Sequence, residues 1–285
     1  MIRRLLVACA ALVLVITAAI LLFLGSAGVR GIRDAGLVQL VAGMVWKPEA
    51  GLFGGLPLVF GTLVSASGAV VIGAVPAVLA ALWVTELAPS TVRLLYRRIM
   101  EIAAALPSVV YGWLALVHLV PQMQKIARRL RGDEAASGEG LLTASVLLGV
   151  MIAPTVLLLS LDALARVPST LRDASAALGA SPWQTAMRVV VPHGWRGIVV
   201  AVFFGFARAA GETMAVQMVI GGARTLPAGP FSPTTTISAQ IMMDMQNARP
   251  GTPQSDVLFA MSLVLLVVAV LVVLGTRRLS QPRTA

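Results

Sequence analysis

Arg208 and Glu212 are the residues whose types and spacing best suit chemistry inside a membrane. They stand four residues apart in the apolar stretch FGFARAAGETMAVQMVIGG, about halfway along a predicted membrane-spanning helix, and so share one helix face. A charge near the centre of a bilayer is costly, and it usually faces a cavity or a partner. The two side chains could therefore pair with each other and merely neutralise both charges, or they could hold a ligand.

A tetrahedral oxyanion is the ligand that this pair of residues suits. The guanidinium of arginine is planar, permanently charged and matched to two oxygens at once. An ionised Glu212 would hold that guanidinium and accept a hydrogen bond from a protonated anion. Hydrogen phosphate carries such a proton at neutral pH and sulfate does not, so Glu212 favours phosphate. Thr213 offers a hydroxyl that either joins the ligand or bonds back to its own helix.

The remaining polar residues exclude several classes of enzyme. Lys47 and Lys125 are the two lysines, and neither follows a glycine, so a phosphate-binding loop of the G-x-x-x-x-G-K-[ST] kind is absent. His118 and His193 have no Cys, His or carboxylate at metal-ligand spacing. Neither a Ser–His–Asp order nor a pair of carboxylates is recognisable. We predict no catalytic residues, no metal and no cofactor on this chain, so any ATP that drives it binds another chain.

A second feature is the polar segment DASAALGASPWQTAMRVVVP at 173–192, which lies between two long apolar stretches. Residues 173–178 are predicted to form a helix of small residues that Gly179 ends. Ser181 and Pro182 predict the start of a second helix, which stops before Pro192. Such a segment contributes nothing within lipid, so we expect it to contact a protein partner in water.

Composition places the chain among polytopic helical membrane proteins. Of its 285 residues, 58% are hydrophobic and 12% are charged, and the mean hydropathy is +0.90. Soluble domains carry about 25% charged residues. The fold class is therefore an all-α integral membrane protein of one domain, 1–285, with six transmembrane helices. The stretches long enough to cross a bilayer are 5–24, 57–84, 99–120, 141–161, 197–221 and 257–275. The first is longer than the apolar core of a signal peptide, so we interpret it as a span.

An even number of spans places both termini on the same side of the membrane. With both in the cytoplasm, the inner segments carry 12 basic and three acidic residues, and the outer loops nine basic and seven acidic ones. This difference follows the positive-inside rule, although the basic cluster Lys125–Arg131 then lies outside. Of the outer loops, 25–56 and 222–256 are long and rich in Gly, Pro, Ser and Thr, and 121–140 is short and charged.

The second and third spans contain residues that bend helices or allow close approach. Gly73 and Pro76 stand in the second span. Glu101 opens the third, where Pro107 removes one helix hydrogen bond and Gly112 brings backbones together. A kinked helix of this kind suits a moving gate, and it equally suits close packing.

The polar segment resembles the coupling motif of bacterial ABC importer permeases. That motif has an acid and small residues, a glycine six positions after the acid, and a proline thirteen positions further on. The matching residues here are Asp173, Ala176, Ala177, Gly179 and Pro192. Asp173 replaces the usual Glu of the family, and Ser175 its usual Ala. By resemblance, the region 166–196 docks into a cleft of an ATPase subunit.

Further segments are similar to phosphate-specific (Pst) importer permeases and follow the same order. They are LFGGLPLVFGTL, ELAPSTVRLLYRRIMEIAAALPSVVYGW, DASAALGASPWQTAMRVVVPHGWRGI and ARAAGETMAVQMVIGG. The form GETMAVQMVIGG resembles the C-type subunit rather than the A-type, and FSPTTTISAQI fits the same subunit. These motifs lie within residues 45–245, and the core of the resemblance extends to about 275.

This resemblance implies a type I ABC importer permease with Arg208 and Glu212 on the phosphate path. Its expected partners are an A-type permease, an ATPase dimer that binds ATP and Mg, and a periplasmic or lipid-anchored phosphate-binding protein that meets the outer loops. Closure of the ATPases would move the coupling helices together and reorient the spans. The chain is expected in the bacterial inner membrane, surrounded by lipid and without nucleic acid.

Three other functions fit part of the sequence. A permease for sulfate, molybdate or another oxyanion would use the same arginine, but Glu212 disfavours sulfate. A non-transporting sensor or assembly subunit of the membrane would leave Gly179 and the coupling segment unexplained. A carrier driven by an ion gradient would need no docking helix.

Overall fold

The computed structural model of the chain describes residues 2–131 and 137–280, with side chains for all of these except 131 and 276–280. The described part is mainly helical and contains one small hairpin, β1 (Trp46–Lys47) and β2 (Leu52–Phe53), which is antiparallel and pairs Trp46 with Phe53. The helices in chain order are α1 (Ile2–Ala35), α2 (Leu37–Ala42), α3 (Leu56–Ala69), α4 (Val75–Glu86), α5 (Ser90–Ala105), α6 (Ser108–Leu114), α7 (Val120–Arg131), α8 (Leu141–Ala165), α9 (Ser169–Ala177), α10 (Pro182–Thr185), α11 (Val191–Gly211), α12 (Met214–Gln217), α13 (Ile237–Met245) and α14 (Pro253–Ser280).

Within the described residues, five helices are long and apolar enough to cross a membrane, and a bent pair provides a sixth span. The predicted number of spans agrees with this, but several predicted boundaries do not. The first helix continues to Ala35 rather than ending at 24, and the helix that contains the fifth span runs over Pro182–Gly211 rather than 197–221. Of the inner basic residues counted for orientation, the side chains of Arg277 and Arg278 and the whole of Arg283 lie outside the described part.

The third span is broken rather than kinked, which corrects the prediction of one helix over 99–120. The helices over Ser90–Ala105 and Ser108–Leu130 meet at 90°. Pro107 disfavours the helical conformation of the residue before it, and Leu106 is indeed extended, with φ −63° and ψ 136°. Glu101 therefore does not open a span. It lies within α5 and pairs with Arg97 and Arg98 of the same helix.

Wide helical turns precede three of the prolines in the spans. Turns with π-type hydrogen bonds cover Val70–Ala74, Ala115–Leu119 and Ala186–Val190, and each ends two residues before a proline. A proline lacks an N–H, and its ring collides with the carbonyl four residues earlier in a regular α-helix. A π turn widens the helix at this point and lets it continue. The prediction that a helix stops before Pro192 is therefore wrong, because the helix passes through this proline to Gly211.

Helix α8 lies at the centre of the larger hydrophobic core, packed against α3, α4, α5 and α11. Its crossing with the second span depends on two facing glycines. A methyl group added at Gly73 would lie 2.0 Å from the carbonyl oxygen of Gly149, so the two backbones are in contact. Such small-residue contacts are a common basis of helix association in membranes. The glycines of the second span therefore serve close packing.

A smaller core lies at one end of the molecule, where α1 packs along α14. It joins the hairpin residue Trp46 to Leu58 of α3, Ile237 of α13 and Leu258 of α14. The long loops predicted at 25–56 and 222–256 are therefore folded and hold short helices and the hairpin. This core connects the two loops to the ends of three helices.

Replacing Gly73 by Ala is expected to destabilise the protein, because the new methyl group meets backbone atoms of α8 that cannot rotate away. The expected loss is about 1–3 kcal/mol, the usual cost of overpacking. Thermal unfolding of the purified protein in detergent, followed by tryptophan fluorescence, measures it. Gly25→Ala in α1 is the control, since nothing lies within 4 Å of its added methyl group. Equal unfolding midpoints for the two variants would contradict the proposed contact.

Candidate anion path and coupling segment

Arg208 lies in the last turn of α11 and is held by a side chain of α8. Its Nη1 donates a hydrogen bond of 3.0 Å to Oγ1 of Thr155. Both residues are half-buried. Thr155 is uncharged, so it orients the guanidinium without neutralising it. Within the described part of the chain Arg208 forms no ion pair, and its remaining N–H groups are available to an anion.

Glu212 lies beyond the end of α11, which corrects the prediction that both charges share one helix face. Its backbone is extended, with φ −68° and ψ 133°. Its carboxylate accepts a 3.3 Å hydrogen bond from the N–H of Ala215, and its carbonyl oxygen accepts a 2.7 Å bond from Oγ of Ser238. Among the ion pairs of the described residues, none joins Arg208 to Glu212. The mutual neutralisation considered from the sequence does not occur in this conformation.

Of the two predictions for Thr213, a ligand contact or a bond back to its own helix, this conformation shows the second. Its hydroxyl donates to the carbonyl oxygen of Gly211 at 3.3 Å. Gly211, Thr213 and Ser238 lie on one side of a cavity of about 800 Å³, whose other walls are mainly apolar residues of α13 and α14. The backbone break after α11 thus places Gly211 and Thr213, the two neighbours of Glu212, at the wall of a largely apolar cavity.

A second cavity, of about 480 Å³, lies where the third span is broken. It is lined by Gly73 and Pro76 of the second span, by Ala103 and Tyr111 on either side of the break, and by Pro154 of α8. The Tyr111 hydroxyl donates to the Ala103 carbonyl at 2.7 Å and so bridges the break. Pro154 immediately precedes the residue that holds Arg208. The broken helix and the arginine therefore lie near the same part of α8.

The coupling segment has the predicted helix–glycine–helix form. Helix α9 begins at Ser169, earlier than predicted, and Gly179 follows it with φ +79°, a left-handed conformation that favours glycine. Ser181 caps the next helix and forms a reciprocal pair of hydrogen bonds with Gln184. The predicted positions Asp173, Ala176, Ala177, Gly179 and Pro192 are all exposed.

Two large apolar side chains at the coupling turn face outward. Leu178 is 90% exposed and Trp183 is 56% exposed. The two helices are linked by a 2.9 Å hydrogen bond between the hydroxyl groups of Ser175 and Thr185. Exposed apolar groups on a fixed turn form a surface that suits a protein partner.

The two long loops, 25–56 and 222–256, are tied together by a buried carboxylate that the sequence did not suggest. Asp244 accepts 2.7 Å hydrogen bonds from Nε1 of Trp46 and from Nη2 of Arg224. Arg224 also pairs with Glu49 at 3.3 Å. The pKa of Glu49 is lowered by a hydrogen bond from its own backbone and by the Arg224 guanidinium. The two loops thus form one braced surface rather than two independent segments.

The sequence and the fold were compared with known proteins. Residues 70–285 match the family described as "Binding-protein-dependent transport system inner membrane component". The chain is 35% identical to the probable ABC transporter permease protein YqgH of Bacillus subtilis, over 99% of this chain and 90% of the relative. It is 32% identical to the phosphate transport system permease protein PstC of Haemophilus influenzae, over 94% of this chain and 88% of the relative.

Two solved transporters share the fold. An inward-facing MetNI methionine ABC transporter chain aligns with a TM-score of 0.55 at 24% identity, over 83% of this chain and 100% of the other. A chain of a bacterial alginate ABC transporter aligns with a TM-score of 0.62 at 16% identity, over 96% of this chain and 94% of the other. The family match covers more than half of the sequence, and the chain therefore belongs to the binding-protein-dependent transport system inner membrane components, with the fold of a type I ABC importer permease.

Proposed function

We propose that this chain is the C-type permease subunit of an ATP-driven ABC importer for inorganic phosphate. The observation that carries the proposal is the half-buried Arg208, which a neutral hydroxyl orients and which has no ion pair with the nearby Glu212 in the described residues. Relatives that bear the name phosphate transport permease support this choice of substrate. ATP hydrolysis is carried out by separate ATPase subunits.

The proposed phosphate contact follows from the donors of Arg208. Thr155 fixes one end of the guanidinium, and the other N–H groups can bind two oxygens of one anion. Glu212 accepts a hydrogen bond from the protonated oxygen of hydrogen phosphate, which an unprotonated sulfate lacks. Few direct contacts suit transport, because an anion bound tightly on the path would not leave it. To contact the anion, the Thr213 hydroxyl would have to break its hydrogen bond to the carbonyl oxygen of Gly211.

The proposed complex contains an A-type permease, two ATPase subunits that bind ATP and Mg, and a periplasmic or lipid-anchored phosphate-binding protein. Both termini and the coupling segment would lie in the cytoplasm. The exposed Leu178 and Trp183 support docking of an ATPase at Asp173, Ala176, Ala177 and Gly179. Pro192 is part of the transmembrane helix and acts there through its π turn. The braced outer loops would meet the binding protein.

Arg208→Gln is expected to lower phosphate uptake about tenfold or more, because it removes the charge that binds the anion. Uptake of radiolabelled phosphate at low external concentration measures this, with co-purification of the ATPase as a check on assembly. Arg196→Gln, earlier on the same helix, is the matched control. Normal uptake by Arg208→Gln would refute the site. A wild-type complex that imports another oxyanion but no phosphate would refute the substrate.

Thr155→Val is expected to lower the maximal rate of phosphate uptake several-fold, since it removes the hydroxyl that orients Arg208 and keeps the side-chain shape. Thr155→Ser retains the hydroxyl and is expected to transport nearly normally. Initial uptake rates at saturating phosphate distinguish the two variants. Equal rates for valine and serine would show that the hydrogen bond has no role in transport.

Gly179→Val is expected to weaken association with the ATPase about tenfold, because valine is strained in the left-handed conformation by roughly 1–2 kcal/mol. Gly179→Asn tolerates this conformation better and is the control. Nothing lies within 4 Å of an added methyl group here, so the fold itself is not crowded. Co-purification of the ATPase at graded concentrations measures the difference. Identical association of the two variants would contradict a docking role for this turn.

A further inference from the structure

Arg172, on the inner side of α9, connects the coupling segment to two transmembrane spans at once. Its Nη2 lies 2.8 Å from Oε1 of Glu86, and its Nε lies 3.3 and 3.2 Å from the two carboxylate oxygens. The same guanidinium donates from Nη2 to the carbonyl of Leu164 at 3.0 Å and from Nη1 to that of Val167 at 2.5 Å. One side chain therefore binds three groups, which are the carboxylate of Glu86 and the backbone carbonyls of Leu164 and Val167.

These acceptors belong to the ends of different spans. Glu86 is the last residue of α4, and Leu164 lies in the last turn of α8. The carbonyls at the end of a helix have no partner within that helix, and the negative end of the helix dipole attracts a cation. Arg172 thus caps the C-terminal end of α8 and at the same time neutralises the charge of Glu86. Its side chain is 24% exposed and that of Glu86 only 7%, so water weakens the contact little.

Two further arginines join the same helix ends to α5. Arg93 donates to the carbonyls of Val84 and Thr85 at 3.2 and 2.6 Å, and Arg97 pairs with Asp162 at 3.1 Å. The inner ends of α4, α5 and α8 are thereby held as one unit. Among the ion pairs of the described residues, the one made by Arg172 extends this unit to α9.

We infer that Arg172 is the positioning residue that transmits movement of the coupling segment to the second and fourth spans. The inference rests on the proposed function, since it assigns a route to the coupling of ATP hydrolysis to transport. None of the residues of α9 is buried, so packing alone fixes this helix weakly. The route continues along α8 to Thr155, and from there to Arg208. Arginine suits this place because its fork of N–H donors reaches both oxygens of Glu86 and two backbone carbonyls, whereas lysine presents a single point charge.

The test compares phosphate transported per ATP hydrolysed in the complete reconstituted complex. Because Arg172→Gln alone would leave Glu86 buried without a partner, the main variant is the neutral pair Arg172→Gln/Glu86→Gln. We expect this complex to assemble and hydrolyse ATP, while phosphate moved per ATP falls about tenfold. Arg172→Lys, which keeps the charge and lacks the planar fork, is expected to lie between this variant and the wild type.

Arg98→Gln is the matched control, because it removes an arginine of α5 whose pair with Glu101 is largely exposed. It is expected to leave the transport ratio unchanged. An unchanged ratio in the Gln–Gln pair, even with a lower unfolding temperature, would reduce Arg172 to a structural role and overturn the inference. A wild-type complex that hydrolyses ATP without moving phosphate would instead overturn the proposed function, so the two failures are distinguishable.

Discussion

The absence of water from the bilayer core is the constraint on which this structure depends. Every backbone N–H and C=O within the lipid must find a partner inside the protein. A proline in a span removes one donor, and at four prolines of the described spans the chain accommodates this loss in one of two ways. Before Pro76, Pro121 and Pro192 the helix widens into a π turn and continues, whereas at Pro107 it breaks and a new helix leaves at 90°.

Whether a helix continues or breaks at a proline determines where a cavity forms between the spans. The break at Pro107 leaves a cavity of about 480 Å³ between the second, third and fourth spans. At Gly73 and Gly149, close to that cavity, the backbones of the second and fourth spans touch. The close packing predicted as one alternative for these spans is therefore present at the crossing of Gly73 and Gly149, and the gate stays a prediction.

Much of this architecture could be predicted from sequence, because it depends on local properties. Six spans follow from apolar length, and the turn at Gly179 follows from residue type. The ends of helices and the partners of charges could not be predicted, since they depend on contacts between distant residues. Arg208 contacts Thr155, which lies 53 positions earlier in the chain. Arg172 contacts Glu86, at a separation of 86 positions. The end of α11 coincides with a hydrogen bond from Ser238 to the Glu212 carbonyl, which no periodicity in the sequence indicates.

Arg172 and Arg208, the two arginines with proposed roles, both contact α8, and the spacing of these contacts bears on the proposed coupling. Arg172 contacts α8 at Leu164, and Arg208 contacts it at Thr155. The nine residues between these points rise about 14 Å along a regular helix. Pro154 lies immediately beyond Thr155, so the stiff segment ends where the arginine is attached. Since Pro154 lies beyond Thr155, a displacement of α9 would move Thr155 together with the end of α8. The orientation of the Arg208 guanidinium would then change with the position of the coupling segment.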